Sequence, residues 1–254
     1  MLALHSKNLQ LISKNHGLSA DEIVAQATKI PSFLEAIAKR DQGFYKVIDD
    51  GEVVEKITKA CKEVEGAYED IVVLGIGGSA LGTICLQQSL KHLFENEKPK
   101  RDCPRLHVLD NIDPALMREI EDIIDLKKTL FIVVTKSGTT PETLAQFFYF
   151  LDKCKKASLS PHSSFVVITG PEKNTLRSIA EQENITTFDI PTDVGGRFSV
   201  LTNVGLLPAK LIGIDIEKLL EGARSMRDQF LNTDAKTNLP FQIATIQYLL
   251  SKKG

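Results

Sequence analysis

The sequence predicts an α/β protein centred on a doubly wound, five-stranded parallel sheet, with helices before it and a helical extension after it. Two observations carry this reading. Five short apolar runs rich in β-branched residues follow one another: IVVLGI at 71–76, LHVLD at 106–110, LFIVVT at 130–135, SFVVIT at 164–169 and ITTFDI at 185–190. Helical segments at 80–94, 114–124, 141–153 and 174–183 separate them. Runs that are apolar throughout belong to strands buried on both faces, and helices between consecutive strands supply the right-handed crossovers of a parallel sheet. Ligands of such sheets lie outside the carboxyl ends of the strands, where the winding reverses. The loops after the strands are therefore where chemistry is expected.

The flanking segments are helical. Ser19 and Glu22 stand at capping-box spacing, and Ile23, Val24 and Ala27 follow at helical intervals. Phe33, Ile37 and Ala38 continue a helical region after Pro31. Beyond Ile190 the strand pattern stops, and a Gly-Gly turn leads into helices at 198–212 and 216–230. FQIATIQYLL, an amphipathic helix with no evident partner, comes just before the terminal SKKG and reads as a boundary within a longer protein. Three segments are expected: a helical leader at 1–60, the sheet domain at 61–191, and a loop with helices at 192–254 leading toward a second domain.

Composition excludes several classes. With 254 residues, 43% hydrophobic and 25% charged, the chain is an ordinary globular one. A formal net charge of -2 gives no basis for binding nucleic acid or an anionic membrane. No run approaches the roughly 20 apolar residues a membrane helix needs. MLALHSKNLQLISKN has polar residues inside any apolar core of a signal peptide, so the cytoplasm is the expected compartment. Cys61, Cys85, Cys103 and Cys154 lack metal or disulfide spacing and read as small buried hydrophobes. His107 within a strand, His92 on a helix, His162 in a loop, and His5 and His16 in the leader read as structural or solvated.

Three loops carry candidate chemistry. The first, Gly75-Ile-Gly-Gly-Ser-Ala-Leu-Gly82, follows a strand and opens a helix. Its backbone N–H groups sit at the positive end of a helix dipole, where anions bind, and Ser79 adds a hydroxyl. A tight turn without a ligand is the plain alternative. A dinucleotide site is the sharper rival, because Gly75, Gly77 and Ala80 satisfy G-x-G-x-x-G/A. Asp110 would then be the ribose carboxylate, but it follows the motif by about 30 residues instead of roughly 20.

The second loop, Thr135-Lys-Ser-Gly-Thr-Thr140, ends at Pro141, a favourable first helical residue. Its hydroxyls, glycine and helix start form a cradle for a phosphate monoester, whose charged oxygens accept many hydrogen bonds. A nicotinamide site needs no such second nest, and Walker A spacing is absent. Lys136 contributes through its ammonium or its backbone N–H. Glu142 either caps its own helix or polarises a substrate hydroxyl. In the third loop, Asp193-Val-Gly-Gly-Arg-Phe-Ser199, Arg197 offers a fork of donors to a phosphate or a developing oxyanion, or pairs with a neighbouring carboxylate.

GIGGSALG, TKSGTTPET and VGGRFSVLTNVG, in that order, resemble the N-terminal half of bacterial glucose-6-phosphate isomerases, from about residue 40 to the end. The first two motifs are similar to the wider sugar isomerase (SIS) fold, which is flavodoxin-like, and the third to the isomerase itself. The resemblance implies that Gly78 and Ser79 touch the sugar phosphate. It implies that Thr135, Lys136, Ser137 and Thr140 wrap the phosphate, with Thr139 adjacent. Gly196 and Arg197 would lie near the reacting carbons, the guanidinium stabilising an enediolate. Thr135 stands where family sequences often carry serine, a change that keeps the hydroxyl.

The implied reaction is the reversible conversion of glucose 6-phosphate to fructose 6-phosphate through a cis-enediol, a step of glycolysis and gluconeogenesis that uses no cofactor or metal. It needs a carboxylate base and an acid/base for ring opening. The family's glutamate, histidine and lysine for these tasks are expected beyond Gly254, so the 254 residues alone are expected to bind phosphosugar without turnover. A homodimer is implied for the intact protein. The alternatives are a non-catalytic phosphosugar-binding module, which has no need of Gly196-Arg197, and a Rossmann nucleotide-binding domain.

Overall fold

All five apolar runs form strands: β1 (Asp70–Leu74), β2 (Arg105–Leu109), β3 (Thr129–Thr135), β4 (Phe165–Thr169) and β5 (Thr186–Asp189). In the computed structural model, which describes residues 4–13 and 15–253, they pair in parallel in the order β2-β1-β3-β4-β5. Asp70 lies opposite Arg105 and Thr129, and Leu74 opposite Leu109 and Val133. β1 and β3 are buried at every residue, which accounts for their uninterrupted apolar runs. β5 is an edge strand, and its two threonines and aspartate are tolerated because it is partly exposed.

Helices cover both faces. Pro114–Ile123, Pro141–Lys156 and Thr175–Gln182 lie on one, packing Met117, Phe147, Phe150 and Leu176 against Val72, Leu74, Phe131, Val133, Phe165 and Val167. The Phe131 ring stacks on Phe150 at 4.6 Å and on Phe165 at 5.2 Å. Strand residues of opposite parity, Ile71, Val73, Ile132 and Val134, face the other way. There Gly51–Glu63, Gly78–Leu90 and Asn203–Leu211 cover the sheet. The chain runs outward from β1 to β2, returns across β1 to β3, and continues to β4 and β5. The winding reverses between β1 and β3.

Local chemistry sets the helix starts. The Asp113 carboxylate accepts the Ala115 and Leu116 N–H groups, and Pro114 and Pro141 occupy first-turn positions. Two expected helices differ. The helix expected at 80–94 runs Gly78–Leu90, so His92 lies outside it. There the His92 Nδ1 accepts the Phe94 N–H at 3.1 Å, a local turn that competes with helix. The helix expected at 198–212 is broken by Thr202, whose hydroxyl donates to the Ser199 carbonyl and accepts the Val204 N–H. A 3-10 turn, Gly196–Leu201, precedes it and Asn203–Leu211 follows. His162 falls within a short helix, Pro161–Ser164, and not in a loop.

The sheet belongs to a compact unit, Gly43–Leu220, which takes in the end of the helical leader and half of the segment after Ile190. Met1–Gln42 and Glu221–Gly254 form a second unit. Within it the capping box is complete: the Ser19 hydroxyl accepts the Glu22 N–H at 3.2 Å, and the Glu22 carboxylate accepts the Ser19 N–H at 2.7 Å. Glu22 also pairs with Lys253 at 2.8 Å. The helix Leu239–Ser251 does find a partner, packing on Ala20–Ala27, with the Phe241 ring 6.4 Å from Phe33. Of the four cysteines, all free thiols, only Cys154 is buried. Cys85 is exposed, and Cys61 and Cys103 are half-buried: Cys61 and Cys85 sit on the covering helices Gly51–Glu63 and Gly78–Leu90 themselves, and Cys103 in the segment before β2. Among the described residues no helix is long and apolar enough to cross a membrane.

Candidate functional site

The three loops singled out in the sequence come together at the carboxyl ends of β1 and β3, the switch point where doubly wound sheets bind ligands. Contact between the first and third is direct. A Cβ on Gly78 would overlap the Gly196 carbonyl and lie 2.8 Å from the Arg197 nitrogen. Only glycine lets these backbones approach so closely. Gly78 opens the helix Gly78–Leu90, so this junction lies at the positive end of that helix. Ser79 is half-buried beside it.

The second loop gathers its hydroxyls into one cluster. Thr135 Oγ1 lies 2.7 Å from Thr140 Oγ1 and 3.3 Å from Ser137 Oγ, which is 3.3 Å from Thr140 Oγ1. The Thr139 hydroxyl donates to Ser137 Oγ at 3.2 Å. Thr140 occupies the N-cap of Pro141–Lys156 yet makes no side-chain cap bond, since its hydroxyl turns to Thr135 and Ser137. The first N–H groups of a helix have no intrahelical partner, so they add donors beside the hydroxyls. Glu142 stands in this first turn, half-buried.

Lys136 does not extend over the hydroxyls. Its ammonium donates to the carbonyls of Thr192 and Val194, both at 2.7 Å, and so ties the second loop to the third. Its own carbonyl accepts the Gly170 N–H at 3.1 Å. Arg197 is exposed and makes no ion pair among the described residues, so its guanidinium is not consumed by a neighbouring carboxylate. The Ser199 hydroxyl closes the turn by donating to the Gly196 carbonyl at 2.7 Å. Phe198 stacks on Phe44 at 5.0 Å, and the Gly43 N–H donates to the Asp193 carbonyl at 3.1 Å.

One contributor has no signature in the sequence beyond a helix start. Gly138 adopts a φ of +66, and a Cβ there would overlap the Asn174 side chain. Asn174 caps Thr175–Gln182 by accepting the Arg177 N–H at 2.9 Å, while its Nδ2 donates to the Glu172 carbonyl at 2.9 Å. The loop after β4 thus buttresses the hydroxyl cluster.

The buried polar groups at the opposite end of the sheet serve the fold. Arg105 grips the Asp70 carboxylate through Nε at 2.6 Å and Nη2 at 2.7 Å, and His107 Nε2 lies 3.1 Å from it. Burial alone would raise the Asp70 carboxyl, but hydrogen bonds from His107 and Arg105 and their charges hold it below its ordinary value. His107, expected to be structural, is spent on this pair.

Fold and site together define a doubly wound α/β protein whose hydroxyl cluster, helix starts and Gly196-Arg197 turn are brought together at its switch point. The chain belongs to the phosphoglucose isomerase family, whose model matches residues 15–252. It is 40% identical over 228 residues to the glucose-6-phosphate isomerase of Carboxydothermus hydrogenoformans, covering 88% of this chain and 49% of that one. Among solved structures it resembles a hypothetical protein of Thermus thermophilus, with TM-score 0.77 and 34% identity, covering 91% of this chain and 55% of that one. It also resembles a glucose-6-phosphate isomerase of Chlamydia trachomatis, with TM-score 0.67 and 27% identity, covering 77% and 37%. The chain spans about half the length of the curated relatives it matches.

Proposed function

We propose that this chain supplies the phosphosugar-binding half of an enzyme that interconverts glucose 6-phosphate and fructose 6-phosphate. The observation that carries the reading is an uncapped, hydroxyl-lined helix start whose loop is tied through Lys136 to the segment leading into the Gly196-Arg197 turn, which in turn abuts the helix start at Gly78. The phosphate sits among Thr135, Ser137, Thr139 and Thr140 and the backbone N–H groups of that loop, including that of Lys136. Gly78 and Ser79 contact the sugar phosphate from the side. Gly196 and Arg197 face the reacting carbons, where a fixed guanidinium stabilises charge as the enediolate forms.

Proton abstraction from C2 and ring opening need a carboxylate and a second acid/base, and we assign them to residues outside these 254. The intact protein would then act in the cytoplasm as a homodimer, in glycolysis and gluconeogenesis. Binding tests the reading. Calorimetric titration of the chain should give a saturable isotherm with fructose 6-phosphate and none with NADH, and a fructose 6-phosphate assay should give no turnover. A response to NADH alone would replace the proposal with the dinucleotide reading.

A further inference from the structure

We infer that the Lys136 side chain is a positioning group, which holds the Gly196-Arg197 turn in register with the hydroxyl cluster, and not a ligand of the phosphate itself. The inference rests on the phosphosugar reading of the site and deepens it. Two of the three ammonium protons are committed to the carbonyls of Thr192 and Val194, both at 2.7 Å. Val194 is fully buried and stands two residues before Gly196, so fixing its carbonyl fixes the start of the turn. At the other end of the lysine, the Lys136 carbonyl accepts the Gly170 N–H at 3.1 Å, which anchors its backbone on the loop after β4. Hydrogen bonds from a charged donor are about twice as strong as neutral ones, so this strut holds well.

The turn it supports is crowded as well as tethered. Gly196 abuts Gly78 with no room for a Cβ on that glycine, and the Gly43 N–H holds Asp193 from the far side. Arg197 itself makes no ion pair among the described residues, so no side-chain bond of its own fixes it. Its placement depends on the backbone beneath, and the ammonium of Lys136 is the side-chain group that grips that backbone from the phosphate loop. A phosphate would still meet the Lys136 N–H, which lies within the loop.

The two roles separate by ligand. Inorganic phosphate senses only the hydroxyl cluster, whereas 6-phosphogluconate also reaches the turn. In Lys136→Met, inorganic phosphate should bind within about twofold of the unaltered chain. 6-Phosphogluconate should weaken about tenfold, the factor that about 1.4 kcal/mol of lost placement produces. Lys136→Arg, which can still donate to both carbonyls, should recover part of that loss. Equal losses for both ligands would make the ammonium a phosphate ligand and overturn the inference. An unaltered chain that binds neither ligand would instead sink the phosphosugar reading. A readout free of ligand is tryptic cleavage after Arg197. The strut predicts faster cleavage in Lys136→Met, with the digestion pattern otherwise kept apart from the site lost at position 136, and an unchanged rate refutes it.

Discussion

Replacing Gly78 by alanine tests the contact on which the site is built. A Cβ at this position would overlap the Gly196 carbonyl and come within 2.8 Å of the Arg197 nitrogen, both backbone atoms that cannot swing aside. Two effects oppose each other. Alanine is favoured over glycine in a helix by up to about 1 kcal/mol, less at a first-turn position. Against that, forcing atoms into filled space costs about 1–3 kcal/mol. The clash wins, and Gly78→Ala should be less stable by about 1–2 kcal/mol, which lowers the melting temperature by a few degrees in a chain of this size. Gly222 supplies the control. It lies in the helix Ile216–Phe230 with nothing within 4 Å of an added Cβ, so Gly222→Ala should gain about 0.4–1 kcal/mol. Thermal and urea unfolding of the two variants read the difference directly. Because the clash displaces the turn, Gly78→Ala should also lose affinity for 6-phosphogluconate. A Gly78→Ala chain as stable as the Gly222→Ala chain, with sugar-phosphate affinity intact, would refute the close approach of the first and third loops.

Two further outcomes concern the fold. The Asp70 carboxyl titrates lower in the folded chain than in the unfolded one, so the unfolded state binds more protons in acid and stability falls as pH drops. The loss should begin below about pH 4, where an unfolded aspartate protonates, and Asp70→Asn should flatten that slope while lowering stability at neutral pH through the stranded Arg105. In the other compact unit, Ser19→Ala removes a hydroxyl that accepts the Glu22 N–H and should cost about 1 kcal/mol in local unfolding, read by amide exchange of the helix Ala20–Ala27.

What the sequence disclosed and what it hid follow from range. The strands were legible because burial on both faces writes itself into consecutive residues, as in IVVL of β1 and LFIVV of β3. The capping box of Ser19 and Glu22 and the hydroxyls of the Thr135–Thr140 loop were legible because each is a pattern within a few residues. The helix ends at Leu90 and at Thr202 were not, since single side chains, His92 and Thr202, capture nearby N–H groups and override periodicity. The role of the Lys136 ammonium was hidden for a different reason. Its acceptors are backbone carbonyls 56 and 58 residues away, and a carbonyl leaves no mark on residue identity. Asn174 was visible as a helix cap, but its packing against Gly138 depends on the adjacency of β3 and β4, which only the sheet order supplies.

The central claim, a phosphate nest at the β1–β3 switch point, is tested most directly by thermal unfolding of the chain with fructose 6-phosphate, repeated with Ser137→Ala. A ligand that binds only the folded state stabilises it by RT ln(1 + [L]/Kd), about 2.7 kcal/mol at a concentration one hundred times Kd. Fructose 6-phosphate should raise the melting temperature of the unaltered chain, and Ser137→Ala should abolish the rise while leaving the ligand-free transition nearly in place. A rise of equal size in Ser137→Ala, or one produced by NADH and not by the sugar phosphate, would contradict it.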